Sequence, residues 1–462
     1  MSKTEKPHLK QRHLTMMGLG SSLGAGLFLG VGLGIQQSGT SILISYTLAG
    51  ILVMLVMKLL AEMSAARPSI GSFSTYAGQV FGNWAKFVLG WLYWFLLVMV
   101  MGAEITGAAR IMANWFGVAP WIPALIAVVA FTVVNFAAVD GFGEFEFWFS
   151  IIKVAVITLF LVLGVLLIFG LWPNTPAVEL SNFTTNFLPH GIGGFAAGLL
   201  SVAFAFGGIE VIAIGAAESD DPARAVKKAL HGFIVRVLIL YLGSILVIAL
   251  LLPFARIQDA DTATQSPFTQ VMDLAGIPAA GLIMEVVIVT ALLSSFNAQI
   301  YATSRSIFSL AQDGNAPRVF CRRNSAGSPH AAVLLSTLIA FASVGLQFWN
   351  PPGLLEFLFN AVGGCLLVVW LWTVLTYIKL RPELVRNGEI HGPGHRVLPW
   401  FVLAALGALV ALMIWDDGSR GQIGSVLVIV GLLVVLAWLL PTGKRTAGVG
   451  KTHSVKTETE VS

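Results

Sequence analysis

Glu104, Lys153 and Glu210 are ionisable side chains set well inside long apolar stretches of the sequence. A charge in hydrocarbon is costly enough to mark a substrate or proton pathway by default. Lys153 is the clearest case. If its span enters the membrane near Glu144, nine residues at about 1.5 Å each place the ammonium group about 13 Å deep, close to the midplane. No acid lies in helical reach, since Glu146 is seven residues away and nearer the surface. Burial disfavours the charged form of a lysine. Lys153 therefore either exchanges a proton or is a fixed cation tied to carbonyls of the first span. Glu104 shares a helical face with Met101, Ala108 and Ile111, and either binds protons, orients a substrate or hydrogen-bonds a neighbouring helix. Glu210 directly follows a glycine pair, where a carboxylate either carries a proton or holds unwound backbone.

Two glycine-dense strings interrupt the apolar runs. The first reads Gly18-Leu19-Gly20-Ser21-Ser22-Leu23-Gly24-Ala25-Gly26-Leu27-Phe28, the second Phe204-Ala205-Phe206-Gly207-Gly208-Ile209-Glu210. Backbone groups in lipid must be paired internally, so a helix breaks there only where a neighbour, a cavity or a ligand satisfies the freed N–H and C=O groups. Half-helix N-termini suit a carboxylate and C-terminal carbonyls suit an ammonium group, so a zwitterion fits both ends. The candidate substrate contacts are Ser22, Gly24, Ala25 and Gly26 at one break and Phe204, Ala205, Phe206 and Gly207 at the other. Gly30, Gly32 and Gly34 read instead as a surface for close helix packing. No strand precedes the first string, which excludes a dinucleotide-binding reading.

Ser294 and Asn297 lie one turn apart, with Tyr301 a turn further, and either line a path or hydrogen-bond between helices. Leu97 and Met101, with Phe204 and Phe206, are candidates for a side-chain pocket in which an aromatic substrate gains offset or edge-to-face contacts. With 30 Phe in the chain, an aromatic near any site is common by chance. Lys58, Glu62, Arg236, Glu285 and Glu356 fall near span ends and read as structural or snorkelling. No pair of histidines with nearby acids has metal-ligand spacing, so no metal site and no cofactor are expected.

The elements that must position these residues follow from composition. The 462 residues are 56% hydrophobic and 11% charged, against roughly a quarter charged in soluble proteins. Apolar stretches near 15–38, 43–66, 84–112, 121–139, 146–169, 192–217, 229–254, 281–302, 331–349, 354–378, 397–415 and 421–440 predict twelve transmembrane helices. The first lacks a cleavage pattern and is expected to be retained. Of 27 Lys and Arg, 21 fall in the termini and the loops on their side, three on the other side and three inside spans, which predicts both termini in the cytoplasm. The net charge of +4 is thus a topology signal, and nucleic acid is excluded as a partner. Cys321 and Cys365 read as two free thiols.

Several of these strings together resemble a known family. Gly20 to Phe28 resembles the first-helix signature of the amino acid/polyamine/organocation superfamily. Glu62-Met63, Arg67-Pro68, Gly71-Ser72-Phe73 and Tyr76-Ala77 resemble the second signature of its bacterial amino acid transporter branch. Ala103 to Ala108, Phe206 to Glu210 with Glu218 and Pro222, and Tyr301 to Arg305 through Asp313 to Pro317 complete the resemblance. It is strongest to actinobacterial aromatic amino acid permeases around Gly90 to Phe95 and Ser294 to Arg305. The resemblance implies an all-α membrane protein of LeuT-like five-plus-five inverted repeat with helices 1 and 6 broken, plus two peripheral helices. The parts would be a tail at 1–14, a first repeat at 15–169, a second at 192–378, peripheral helices at 397–440 and a disordered tail at 441–462. It further implies proton-coupled uptake of aromatic amino acids at the cell membrane; for that coupling Lys153 either exchanges a proton, as Glu104 or Glu210 would, or is a fixed cation in the place a sodium ion takes in related folds. Ala25 stands where many relatives have Thr. Carriage of another neutral amino acid (threonine, proline, serine or alanine) or exchange is the nearest alternative. An intramembrane sensor or enzyme would require a nucleophile with a base, a metal cluster or a signalling domain, and the sequence offers none. Membrane lipid and the amino acid are the only partners expected.

Overall fold

The computed structural model describes residues 23–67, 69, 72–137, 142–173, 175–178, 181–207, 238–258, 265–323, 329–390, 397–415 and 417–440. Among these residues the regular elements are helices. In chain order they are α1 (Ala25–Phe28), α2 (Gly30–Ser38), α3 (Ile42–Ala66), α4 (Ser72–Phe81), α5 (Asn83–Phe116), α6 (Trp121–Ala137), α7 (Phe142–Ile168), α8 (Ser181–Thr185) and α9 (Gly191–Ala205). There follow α10 (Leu238–Leu251), α11 (Phe254–Gln258), α12 (Pro267–Leu274), α13 (Ala280–Gln312), α14 (His330–Trp349), α15 (Leu354–Arg386), α16 (Leu398–Trp415) and α17 (Asp417–Leu439).

Among the described residues eight helical segments are long and apolar enough to cross a membrane, one of them, Ala25–Ala66, taking in α1, α2 and α3. With the shorter apolar α6, α9 and α10 they fall on the stretches where the sequence places spans, and parts of the first, fourth, sixth and seventh of those stretches lie outside the described residues. Helix is the only local solution in lipid, because it pairs its backbone within the segment. On α7 the two sides divide cleanly. Trp148, Ile152, Leu159 and Val162 are exposed, as lipid-facing residues must be, while Lys153, Ile157 and Phe160 are buried. The aliphatic girdle therefore faces lipid and the one cation of that helix faces protein.

α5, α13 and α15 form the centre of the bundle and pack on one another through α5. They run for 34, 33 and 33 residues, about 50 Å each at 1.5 Å per residue, and so outlast a hydrocarbon core of about 30 Å. Sequence hydropathy ends α13 and α15 too early, because their last turns are polar. At the end of the bundle that carries most of the basic residues, Lys86 of α5 pairs with Asp313 just past α13 at 2.7 Å. Also at this basic end, Arg67 pairs with Glu383 at 2.8 Å and Glu389 at 2.7 Å. α16 and α17 lie at the periphery, with 28% and 11% of their apolar windows buried.

The stretch between the seventh and eighth spans reads as loop in the sequence but contains α11 and α12. Pro267 opens α12 after Ser266, a favoured start because the missing N–H is unneeded in the first turn. The Ser266 hydroxyl donates to the Phe28 carbonyl at 3.1 Å, and the Phe268 ring meets Phe28 edge-on at 5.2 Å. α12 thus lies across α1 on the side away from the basic end.

Candidate functional site

The first span has a helix start inside it. Gly24 has non-helical φ and ψ of −121° and −137°, and the helix begins at Ala25. The N–H of Ala25, unpaired within a new helix, donates to both carboxylate oxygens of Glu104 on α5, at 3.1 and 3.0 Å. Glu104 is 1% exposed. Gly24 permits this approach: a Cβ there would collide with Glu104 Oε1 and come within 2.6 Å of the Ser295 hydroxyl. Ser295 in turn accepts from Lys153 Nζ at 3.2 Å, with Lys153 also 1% exposed. One glycine of the break therefore sits among a carboxylate from α5, a hydroxyl from α13 and an approach to the ammonium of α7. Buried charges of this kind persist only when hydrogen-bonded or paired.

The second break adjoins the first. α9 ends at Ala205, and a turn follows in which the N–H groups of Phe206 and Gly207 donate to the carbonyls of Ala203 and Phe204 at 3.1 and 2.9 Å. A Cβ on Gly26 would stand 2.7 Å from the Ala205 Cα, so the two segments approach backbone to backbone. The carbonyl of Ala205 accepts from the Tyr241 hydroxyl at 3.1 Å. Around this point the aromatics sort into two groups. Phe204 stacks on Phe359 of α15, centroids 3.9 Å apart at 17°. Phe206 turns the other way, stacked on Tyr241 at 5.9 Å and tilted against Tyr46 at 6.1 Å.

Such a site has the donors and acceptors to hold a zwitterion and no arrangement for covalent chemistry. No group of three or more potential metal ligands occurs among the described residues. The sequence matches the family of amino acid permeases over residues 13–451. The chain belongs to that family. It is 57% identical to the aromatic amino acid transport protein AroP of Corynebacterium glutamicum over 93% of this chain and 94% of that one. It is 37% identical to the gamma-aminobutyric acid permease of Bacillus subtilis, over 93% and 92%. A solved structure of the Eremococcus coleocola manganese transporter superposes with a TM-score of 0.59 at 15% identity, over 93% of this chain and 94% of that one. The permease is thus a multi-pass membrane protein of the LeuT-like transporter fold and not an enzyme.

The permease brings Gly24, Ala25, Gly26, Glu104, Lys153, Phe204, Ala205, Phe206 and Gly207 into one region. Leu97 shares their buried core. Met101 packs instead with Phe296 and Ile300 in a separate cluster between α5, α13 and α6. Asn297 accepts from Asn135 of α6 at 2.7 Å, a bond between helices. Ser294 is buried on α13, and the Tyr301 ring is covered by the Arg305 guanidinium at 4.1 Å. Ser22 and Glu210 lie outside the described residues. Ser295, Tyr241 and Tyr46 go unnoticed in the sequence. Ser295 carries the signal of two adjacent serines, but one helical step of 100° separates it from the face through Ser294 and Asn297.

Proposed function

We propose that the permease takes up phenylalanine, tyrosine and tryptophan by alternating access, coupled to protons, with both termini in the cytoplasm. The observation that carries the coupling is the Ala25 N–H held by the Glu104 carboxylate. A protonated Glu104 loses the charge that makes this bond strong, since bonds to ionised acceptors are roughly twice as strong as neutral ones. The N–H groups at Ala25 and Gly26 then donate to the substrate carboxylate in its place, so proton and substrate load together. The carbonyls at the end of α9 serve the ammonium group, and Leu97 and Phe204 border the side chain. Lys153 fills a cation position beside the first break, which removes the need for sodium. Glu210 is a further carboxylate for proton passage, and Ser22, Gly207 and Ser294 complete the proposed surroundings of the site, while Met101, Asn297 and Phe206 are taken up by packing partners of their own.

The aromatic preference rests on likeness to the Corynebacterium protein and on the rings about the second break. Relatives named for gamma-aminobutyric acid make the amino acid itself the point to test. The test is uptake of labelled phenylalanine into vesicles holding the purified chain, with an acid-outside pulse and no sodium. Each of the twenty amino acids and gamma-aminobutyrate serve as competitors. Uptake that needs sodium and ignores the pulse overturns the coupling. Competition by small neutral amino acids but not by tryptophan or tyrosine overturns the preference, and uptake only against preloaded amino acid makes the protein an exchanger.

A further inference from the structure

At the end of the bundle away from the basic residues lies an open cavity of about 470 Å³, within the size range of small-molecule sites. Gln36 and Gln37 of α2, His190 and Ala197 at the start of α9, and Glu356 in the first turn of α15 line it. Among the described residues of this lining Glu356 is the one anion, with no Lys or Arg beside it. Its Oε1 accepts from Gln37 Nε2 at 3.4 Å, while Gln36 Nε2 is directed to the Ile257 carbonyl at 2.7 Å.

The cavity stands above the two breaks. Phe359 follows Glu356 by three residues on α15, and Phe204 follows Ala197 by seven on α9, so each pair shares a helical face. Seven residues of helix cover about 10 Å. Phe204 and Phe359 stack across the column. A Cβ on Gly30 would meet Phe359 at 2.9 Å, and one on Gly26 would meet Phe204 at 3.3 Å. The order along the column is cavity, stacked ring pair, and then the junction of Gly26 with Ala205.

We propose that this cavity is a first binding station for the primary ammonium group of an incoming amino acid, with Glu356 as its counter-ion and the Phe204–Phe359 pair as the partition below. The assignment rests on the proposed function in one respect, that this end of the bundle faces outward. A carboxylate flanked by two amides recognises a cationic head and is indifferent to the side chain. Glu356 thus concentrates any amino acid, and selection is left to the break beneath. An ammonium group bound here stands one ring pair away from the carbonyls at the end of α9.

The test uses the full chain in right-side-out vesicles, with Cys321→Ser as background and Ala197→Cys as reporter. A membrane-impermeant thiol reagent is applied outside. Labelling should be slowed by phenylalanine and equally by phenethylamine, which keeps the ammonium and the ring but has no carboxylate. It should be unaffected by 3-phenylpropionate. Protection should survive Gly26→Val, which blocks the break, and should be lost in Glu356→Gln. In uptake assays, Glu356→Gln should raise the phenylalanine concentration for half-maximal rate about fivefold, the scale of an exposed ion pair. A reporter that the reagent does not reach, phenethylamine that does not protect, or protection indifferent to Glu356→Gln overturns the station. Failure of the unsubstituted chain to take up phenylalanine overturns the proposed function instead, and leaves the phenethylamine result to judge the cavity.

Discussion

The Ala25 N–H and the Glu104 carboxylate are bonded across a broken helix, 79 residues apart in sequence and within 3.1 Å in space. The start of a helix attracts an anion, and here the protein supplies its own. Glu104 and the substrate carboxylate proposed to bind here are therefore chemical equivalents that would compete for one set of donors.

That competition predicts different outcomes for two substitutions. Glu104→Gln keeps an acceptor at the site without a titrating charge. It should bind substrate in vesicles with no gradient, yet show no stimulation by an acid-outside pulse. Glu104→Ala leaves the Ala25 N–H without its protein partner, at a cost of about 1 to 3 kcal/mol, and should be less stable to heating as well as inactive. Acid stimulation retained in Glu104→Gln would show that the proton travels elsewhere.

Lys153 is expected to be essential for accumulation because its ammonium donates to Ser295, the hydroxyl that abuts Gly24. Lys153→Ala removes both charge and donor and should abolish concentrative uptake. Lys153→Arg keeps a permanent positive charge, so it should still exchange substrate across the membrane. Accumulation by the Arg variant distinguishes a fixed cation, which permits it, from a proton carrier, which does not. Full accumulation by Lys153→Ala would make the residue a bystander.

Much of this arrangement is legible in the sequence. Apolar stretches place the helices, because lipid allows a spanning segment no other backbone solution. Glycine density locates the first break, since a Cβ at Gly24 or Gly26 collides with Glu104 or Ala205, and Gly207 falls in the turn that ends α9. The partner of Lys153 is not legible, because Ser295 comes from a helix 142 residues away. α12 is hidden too, at eight residues, too short for a span and polar enough to pass for loop. The direction of Phe206 depends on rotation about one turn after Ala205, and hydropathy does not encode that rotation.

Phe206 consequently carries a prediction about stability rather than selectivity. Its ring is 2% exposed and rests on Tyr241 and Tyr46. Truncating a buried Phe to Ala typically costs about 3 to 5 kcal/mol through the cavity left behind. Phe206→Ala should lower the temperature of thermal inactivation in detergent and reduce uptake of all substrates in proportion. Selective loss of tryptophan and phenylalanine transport at unchanged stability would put the ring in the substrate pocket.

At the basic end, Arg67 joins the end of α3 to the end of α15. Its guanidinium meets Glu389 through two bonds at 2.7 and 2.9 Å and Glu383 at 2.8 Å, and Asn387 adds a bond to Glu389. These bonds, Arg67 foremost, hold the Glu389 carboxyl down at about 2 from an ordinary 4.5. A depressed carboxyl contributes stability that is complete above its unfolded value and is lost as pH falls from there through the folded value. The clasp is therefore intact throughout pH 5 to 8. Glu389→Gln should change thermal stability by the same small amount at both ends of that range, and should leave the shape of the uptake pH profile as it was. A profile shifted by this substitution would connect the clasp to proton coupling.

The junction of the two breaks gives the most demanding test. Gly26 faces the Ala205 Cα at 2.7 Å from where a Cβ would stand, and backbone on both sides leaves no flexible atom to yield. Gly26→Val adds three carbons at that point, forces α1 from the end of α9, and restricts the backbone on which the substrate carboxylate is proposed to rest. All substrates should be lost together, small and aromatic alike, while the protein still reaches the membrane. Gly24→Ala intrudes on the Glu104 carboxylate instead, so its defect should be partly relieved by the shorter acid of Glu104→Asp, whereas Gly26→Val should not respond to it. Phenylalaninamide, which lacks the carboxylate charge, supplies the complementary probe. It should compete poorly with phenylalanine, since it forfeits charge-assisted bonds worth roughly 1.5 to 3 kcal/mol each. Competition by phenylalaninamide equal to that of phenylalanine, or normal uptake by Gly26→Val, would remove the substrate carboxylate from the first break and with it the exchange of one carboxylate for another.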